Sequence, residues 1–206
     1  MRRAEASSER DPARQVRAAF DARTIVVYQA YSPAIAEPAI AAGRFVPPFR
    51  LDRMTWIKPS FLWMMYRCGW ATKPGQERVL AVSITRDGFE WSLANSSLSH
   101  HDSAVYASHA EWVERKNRTP VRVQWDPERS LLLEPMERRA IQIGLGGDAV
   151  RRYVNDWTVG IADVTALARE IHALVTAGDL STASEKLPPE HPYPLAGDLK
   201  AVIGAP

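Results

Sequence analysis

Side chains that could bind a ligand are concentrated in three segments, VVYQAY (26–31), GRFVPP (43–48) and TWIKPSFLWMMY (55–66). Aromatic rings offer stacking faces, and arginine and lysine can hold phosphates. The alternative is a core whose aromatic residues pack while their polar tips reach water. The candidate ligand-binding residues are Tyr28, Tyr31, Arg44, Trp56, Ser60 and Tyr66.

Lys58 is the most unusual of these side chains, because it lies next to a proline and a serine inside an apolar stretch. Pro59-Ser60 indicates a strand-to-helix junction, so we expect Lys58 to reach the mouth of a cleft beside Gln29 and Arg44. A phosphate or carboxylate contact is the role expected there. Covalent catalysis is not expected, because a desolvated nucleophilic lysine needs apolar walls on every side and the sequence shows only one, the following helix.

Established catalytic motifs are missing: the sequence has no G-x-S-x-G, P-loop, H-E-x-x-H or strand-following G-x-G-x-x-G. IGLGGDAV (143–150) has the glycines of a phosphate loop, but Asp148 would repel an anion, so an ordinary turn is favoured. A solvated loop is likewise favoured over a metal site at 97–109, and no metal is predicted. A hydrolase built on that loop is the last-ranked function, and its candidate residues are His100, His101, Asp102 and His109.

The composition is that of a globular protein: 206 residues, 46% hydrophobic, with 26 basic and 24 acidic residues. This charge balance permits a nucleotide or nucleic-acid partner without requiring one. The single cysteine, Cys68, excludes an internal disulfide and a cysteine-based zinc site. The polar N-terminus and the lack of a long apolar run predict a cytoplasmic protein with no membrane partner.

Several secondary-structure elements have clear signals. Strands are predicted over 23–31, 78–85, 120–126, 130–136 and 138–145, and helices over 32–45, 59–70, 147–161 and 163–179. In the first helix, Ser32 is the expected N-cap, Gly43 the terminator, and Pro38 a point of bending or division.

Because strands and helices do not alternate strictly, an α+β fold is predicted, with a mixed, mainly antiparallel sheet and flanking helices. The predicted organisation is a mobile segment at 1–14, one globular domain at 15–195 and a C-terminal tail at 196–206, and the proline-rich stretch 187–206 is expected to be extended.

Four long motifs carry a family resemblance: RTIVVYQAYSPAIAEPAIAAGRFVPP, MTWIKPSFLWMMYRCGWATKPGQERVLAV, PVRVQWDPER and IQIGL. They closely resemble the bacterial and fungal family catalogued as domain of unknown function 4291, over about residues 14–195.

A second, more distant resemblance is to the ADP-ribosyltransferase superfamily, through VVYQAY and the glycine-terminated helix after it. It implies an ADP-ribosyltransferase-like fold, NAD bound in a cleft and an oxocarbenium-like ribosyl cation. By this resemblance Gln29 falls at the first-strand position, which orients the ribose. Lys58 or Ser60 falls near the second-strand position, which borders the nicotinamide. Gln142 falls near the position of the late-strand glutamate, which stabilises the developing charge.

Gln29, Lys58 and Gln142 are therefore the candidate catalytic residues, with the two glutamines holding the ribose. Arg44 and Lys58 would hold the phosphates, and Tyr31 or Trp56 a ring. The amide of Gln142 cannot supply the negative charge of a glutamate. Carboxylates that could substitute for it are Glu134 and Glu137.

The expected function is binding of an NAD-type nucleotide, extending to transfer of ADP-ribose to nucleic acid or protein. The alternative is a non-catalytic module that binds nucleic acid or protein through an arginine- and aromatic-rich face. A deep cleft would favour the first, and a flat basic surface the second.

Overall fold

The computed structural model describes residues 13–206, so most of the segment predicted to be mobile lies outside the described residues. The strands are β1 (Arg17–Ala18), β2 (Thr24–Tyr31), β3 (Thr55–Ile57), β4 (Arg78–Thr85), β5 (Ser96–Leu98), β6 (Val121–Arg129), β7 (Pro135–Leu145), β8 (Thr158–Asp163) and β9 (His191–Pro192). The helices are α1 (Pro33–Ala42), α2 (Phe61–Cys68), α3 (Arg86–Ala94), α4 (His109–Arg118), α5 (Asp148–Arg152), α6 (Thr165–Ala177), α7 (Leu180–Glu185) and α8 (Gly197–Ile203), with a π-helical turn at Tyr153–Trp157.

The strands form two main sheets and one short pair. One sheet has the order β2-β4-β8 and is antiparallel throughout. The other has the order β3-β7-β6-β5, in which only β5 and β6 are parallel, and β1 pairs with β9. The predicted α+β class with a mixed, mainly antiparallel arrangement is confirmed. No helix within residues 13–206 is both long and apolar enough to cross a membrane.

A backbone bridge joins the two main sheets at Tyr28 and Lys58. The Tyr28 amide donates to the Lys58 carbonyl at 2.7 Å, and the Lys58 amide donates to the Tyr28 carbonyl at 3.3 Å. The second half of β2 and the end of β3 are therefore held side by side, which brings segments 30 residues apart in sequence into one site.

The predicted boundaries of α1 are confirmed, whereas the division of the helix that was one of the two effects expected of Pro38 does not occur. The helix follows Ser32, begins at Pro33 and ends at Gly43, whose φ of 64° suits glycine. It continues through Pro38 without division. A proline removes one helical hydrogen bond, and the burial of Ala36 and Ala39 in the core keeps the helix in place.

Three predictions of secondary structure were wrong in part. Residues 130–134, within the strand predicted at 130–136, form the turn between β6 and β7. The segment predicted as a helix at 147–161 is helical from Asp148 to Trp157 and then gives way to β8, because antiparallel pairing with β4 overrides its helical periodicity. The tail predicted to be extended contains α8, which buries Leu199 and Ile203.

Both faces of β2 and β4 are covered, since successive side chains of a strand point in opposite directions. Val27 belongs to a large core cluster that includes residues of both sheets. Its neighbour Tyr28 belongs to a second cluster formed with α2, α6 and α7. Tyr28 packs edge-on against Phe61 with ring centroids 5.3 Å apart. The sheet is therefore a rigid support for the side chains at the end of β2.

The two ends of the described chain meet on the surface of this core. Arg17 pairs with Pro192, and the Tyr193 amide donates to the Val16 carbonyl at 2.8 Å. The indole of Trp125 donates to the Ile203 carbonyl at 2.8 Å. These contacts fix the first strand and the last helix to the sheet that carries β6.

Candidate ligand-binding cleft

A cleft of about 440 Å³ opens where the ends of β2 and β3 meet, beneath the loop that follows α1. Its volume falls within the range of about 300–1,000 Å³ that is usual for small-molecule sites. Of the nine side chains predicted to form a site, five line this cleft: Gln29, Tyr31, Trp56, Lys58 and Gln142.

The other four predicted residues lie elsewhere. Tyr28 faces the second core cluster, and the exposed Arg44 does not line the cleft. Ser60 caps α2, accepting a hydrogen bond from the Trp63 amide at 3.1 Å. Tyr66 is 41% exposed and lies under a guanidinium group, with the Arg129 Cζ atom 3.6 Å from its ring centroid.

Lys58 lies inside the cleft, so the expectation that it would be free at the mouth was wrong. It is only 6% exposed, because its backbone is tied to Tyr28 between the sheets. Its Nζ atom donates to the Trp56 carbonyl at 2.9 Å and lies 5.8 Å from the Trp63 ring centroid. No carboxylate of residues 13–206 forms an ion pair with it.

This environment makes the ammonium form of Lys58 unfavourable. Desolvation is the main cause, and together with the nearby Arg67 charge it lowers the pKa of Lys58 to about 7. Cys68 and Asp126 act in the opposite direction but do not restore the usual value. At neutral pH the amine is therefore present in both its charged and its uncharged form.

Gln29 is held in one orientation by a buried network. The Tyr153 hydroxyl donates to Gln29 Oε1 at 2.7 Å, and this tyrosine is fully buried. Gln29 Nε2 then donates to Thr55 Oγ1 at 2.7 Å and to the Tyr31 hydroxyl at 2.9 Å. Because both amide hydrogens have protein acceptors, Gln29 orients Tyr31 and Thr55 at the cleft wall and has no hydrogen left for a ribose.

Burial raises the pKa of Tyr31 to about 12. The hydroxyl therefore stays protonated at neutral pH and can donate a hydrogen bond. It also lies 2.9 Å from Thr55 Oγ1, so its position is fixed on two sides.

Gln142 is paired with Gln124 across β6 and β7, and both line the cleft. Their side-chain amides donate to the two oxygens of Asp126, at 2.7 Å from Gln142 and 2.9 Å from Gln124. The carboxylate beside Gln142 is thus Asp126, while Glu134 and Glu137 are exposed on the β6–β7 hairpin and do not line the cleft.

Three arginines complete the cleft wall, and sequence reasoning missed all of them: Arg50, Arg53 and Arg67. Arg50 already pairs with Asp52 at 2.6 Å. Within the described chain neither Arg53 nor Arg67 forms an ion pair, and no aspartate or glutamate lines the cleft. The available signal was the composition of FRLDR (49–53), which places three charged residues and a phenylalanine just before β3.

A second, smaller cavity of about 140 Å³ lies at the start of α2 and contains two carboxyl groups. The Ser60 hydroxyl donates to Glu128 at 2.8 Å, and the Phe61 amide donates to Glu190 at 2.7 Å. Desolvation, with a further contribution from the charge of Glu128, raises the pKa of Glu190 to about 8. Arg138 and Arg17 oppose this shift.

Replacing Glu190 with glutamine is expected to raise the melting temperature near pH 9 and to change it little near pH 4. The raised pKa means that the folded state holds a proton which the unfolded chain loses between about pH 4.5 and 8, so stability falls across that window. The amide oxygen still accepts from the Phe61 amide. Thermal unfolding of both proteins across this range checks the prediction, and an equal gain at both pH values would contradict it.

The fold and the site together define an α+β protein with a positively charged cleft at the junction of two sheets. The model of the family described as Domain of unknown function (DUF4291) matches residues 15–193, and the chain belongs to that family. No curated protein matches the chain. The predicted membership of this family is thus confirmed, whereas the ADP-ribosyltransferase likeness has no such support.

Proposed function

We propose that the cleft binds a nucleotide-type ligand, with NAD and related dinucleotides as the first candidates. The observation that carries this proposal is a concave site lined by cationic, aromatic and amide side chains and by no carboxylate of the described chain. Such a lining attracts an anion and offers faces for a ring.

The phosphates would be held by Arg53 and Arg67. Arginine binds phosphate oxygens through two parallel N–H groups, which gives both affinity and orientation. Arg50 would contribute less, because its Nε and Nη2 atoms already donate hydrogen bonds to the Asp52 carboxylate, at 2.9 and 2.6 Å.

The ring and sugar of the ligand would contact the aromatic and amide side chains of the cleft. Trp56 and Phe49 supply aromatic surface there. The Tyr31 hydroxyl and the Gln142 side chain supply polar groups at fixed positions, because each is held by a neighbouring side chain. Polar groups held at fixed positions are the usual means of orienting a ligand in such a site.

The side chains present fit binding of NAD better than cleavage of its glycosidic bond. An oxocarbenium-like cation needs a carboxylate beside it, and no carboxylate of the described chain lines the cleft. The oxygens of Asp126 are both engaged by glutamine amides. We therefore propose that the cleft binds NAD without cleaving it. Transfer of ADP-ribose would be established by a separate measurement, the release of nicotinamide from NAD.

Isothermal titration with NAD, NADP, ATP and AMP tests the proposal. We expect binding to weaken by at least about tenfold in Arg53→Met and in Arg67→Met, since each removes a bidentate phosphate contact. Arg44→Met is the matched control, because Arg44 is exposed near the same loop but does not line the cleft.

Two results would overturn this proposal. The first is that none of the four nucleotides binds below millimolar concentration. The second is that Arg44→Met weakens binding as much as the cleft variants do. Salt-sensitive binding of RNA or DNA, with no binding of nucleotides, would instead favour the non-catalytic nucleic-acid module.

A further inference from the structure

We propose that the Lys58 amine forms a reversible imine with an anionic aldehyde bound in the cleft, such as a phosphorylated aldehyde or the open form of a reducing sugar phosphate. This inference rests on the anion-binding cleft proposed above. It adds a covalent step that nucleotide binding alone does not require.

The position of the amine is the first argument. Lys58 Nζ is buried, lines the cleft and donates to one acceptor among the described residues, the Trp56 carbonyl at 2.9 Å. An uncharged amine that donates one hydrogen to this carbonyl keeps its lone pair for a carbonyl carbon in the cleft. An amine held by a carboxylate would be kept as the unreactive ammonium ion, and no residue of 13–206 pairs with Lys58 in that way.

The surroundings of the amine are the second argument. Helix α2 packs beside it and contributes the Arg67 charge, the Cys68 thiol and the Trp63 ring. From the β6 side, Asp126 acts more weakly and favours the ammonium form. Desolvation together with a neighbouring cation is the combination that activates a lysine as a nucleophile. The sequence revealed only one apolar wall around Lys58, whereas the structure encloses it between two sheets and a helix.

The reaction balances without an oxidant or a reductant. The nitrogen lone pair forms a bond to the aldehyde carbon, and a proton moves from nitrogen to the former carbonyl oxygen. The remaining proton on nitrogen then passes to that oxygen as the carbon–oxygen bond breaks, so the oxygen leaves as water and the nitrogen electron pair forms the carbon–nitrogen double bond. Addition of water reverses the reaction and releases the aldehyde.

The cations of the cleft select the class of aldehyde. Arg53 and Arg67 line the same cleft as Lys58 and have no carboxylate partner in residues 13–206. A phosphate bound by these arginines would hold an attached aldehyde close to the amine, which raises its effective concentration. An uncharged aldehyde of the same size has no phosphate for these arginines to bind, so it is not held close to the amine.

Trapping with glyceraldehyde 3-phosphate and sodium cyanoborohydride near neutral pH tests the proposal on the unmodified protein. Cyanoborohydride gives a hydride to the imine carbon and converts it to a stable secondary amine, which peptide mass spectrometry then locates. The chain has only five lysines, so Lys73, Lys116, Lys186 and Lys200 serve as internal controls.

We expect Lys58 to be modified at least about tenfold faster than any other lysine, because a much larger share of its amine is uncharged. Uncharged glyceraldehyde should react more slowly at Lys58, and inorganic phosphate should compete with the phosphorylated probe. Lys58→Met should remove the selective product and leave the slow labelling of the other lysines. Equal labelling of all five lysines, or an unmodified Lys58, would overturn the inference.

Titration with AMP, which has no aldehyde, separates this inference from the proposed function. Binding of AMP without trapping at Lys58 would reject the imine and retain the nucleotide cleft. Selective trapping without binding of any nucleotide would retain the reactive lysine and reject the nucleotide cleft.

Discussion

Lys58→Met is expected to raise the free energy of unfolding by on the order of 4 kcal/mol near pH 6. The unfolded chain carries an ordinary lysine, whereas the folded state lowers the pKa of Lys58 from 10.5 to about 7. Below pH 7 the amine is charged in both states, and the full desolvation penalty opposes folding. Methionine has a similar length and no charge, so it removes that penalty.

The pH dependence distinguishes this effect from improved packing. Between about pH 7 and 10.5 the unfolded chain binds a proton that the folded state has lost, so the stability of the native protein rises with pH. The advantage of Lys58→Met should therefore fall to about half its size by pH 9. Urea unfolding of both proteins at the two pH values measures this change.

Lys200→Met is the matched control for this experiment, since Lys200 is half-exposed on α8. It should alter stability little and by the same amount at both pH values. A gain for Lys58→Met that did not change with pH would contradict the placement of a desolvated amine in the cleft.

Gln29→Leu is expected to lower the free energy of unfolding by about 2–4 kcal/mol. The substitution leaves the fully buried Tyr153 hydroxyl without its acceptor and removes the donor to Thr55 and Tyr31. A buried polar group that loses its partner keeps its full desolvation penalty, whereas removing both partners together costs much less.

A double-mutant cycle with Tyr153→Phe checks this interpretation. The double variant Gln29→Leu, Tyr153→Phe should be more stable than the sum of the two single effects predicts, by about 0.5–3 kcal/mol. Chemical denaturation of the four proteins gives the coupling energy. Strict additivity would show that the bond between Tyr153 and Gln29 does not stabilise the folded state.

Local signals were sufficient to predict much of the fold. The β-branched run before Ser32 and the strand RVLAVSIT correspond to β2 and β4, and the α+β class followed from the order of elements. Signals of this kind depend on residues close together in sequence, which explains why caps and strand cores were located well. Strand β8 was missed because its conformation depends on pairing with β4, about 80 residues away.

The candidate site was predicted in part for the same reason. Gln29, Tyr31 and Trp56 were found because they lie at the ends of strands, where ligand groups are common. Arg53 and Arg67 were missed because their sequence neighbours do not indicate which surface they share. The burial of Lys58 was also invisible in the sequence, since it depends on a bridge to Tyr28 in another sheet.

The meeting of the two chain ends affects the order in which the protein can fold. Arg17 donates to the carbonyl of Glu190, 173 residues later in the sequence. During synthesis, β1 must therefore wait for the segment from Glu190 to Ile203 before it finds its partners. Contacts of such long sequence separation slow folding, and until they form the incomplete core is exposed to other chains. We expect newly made protein to depend on low concentration or on chaperones until its last helix has docked.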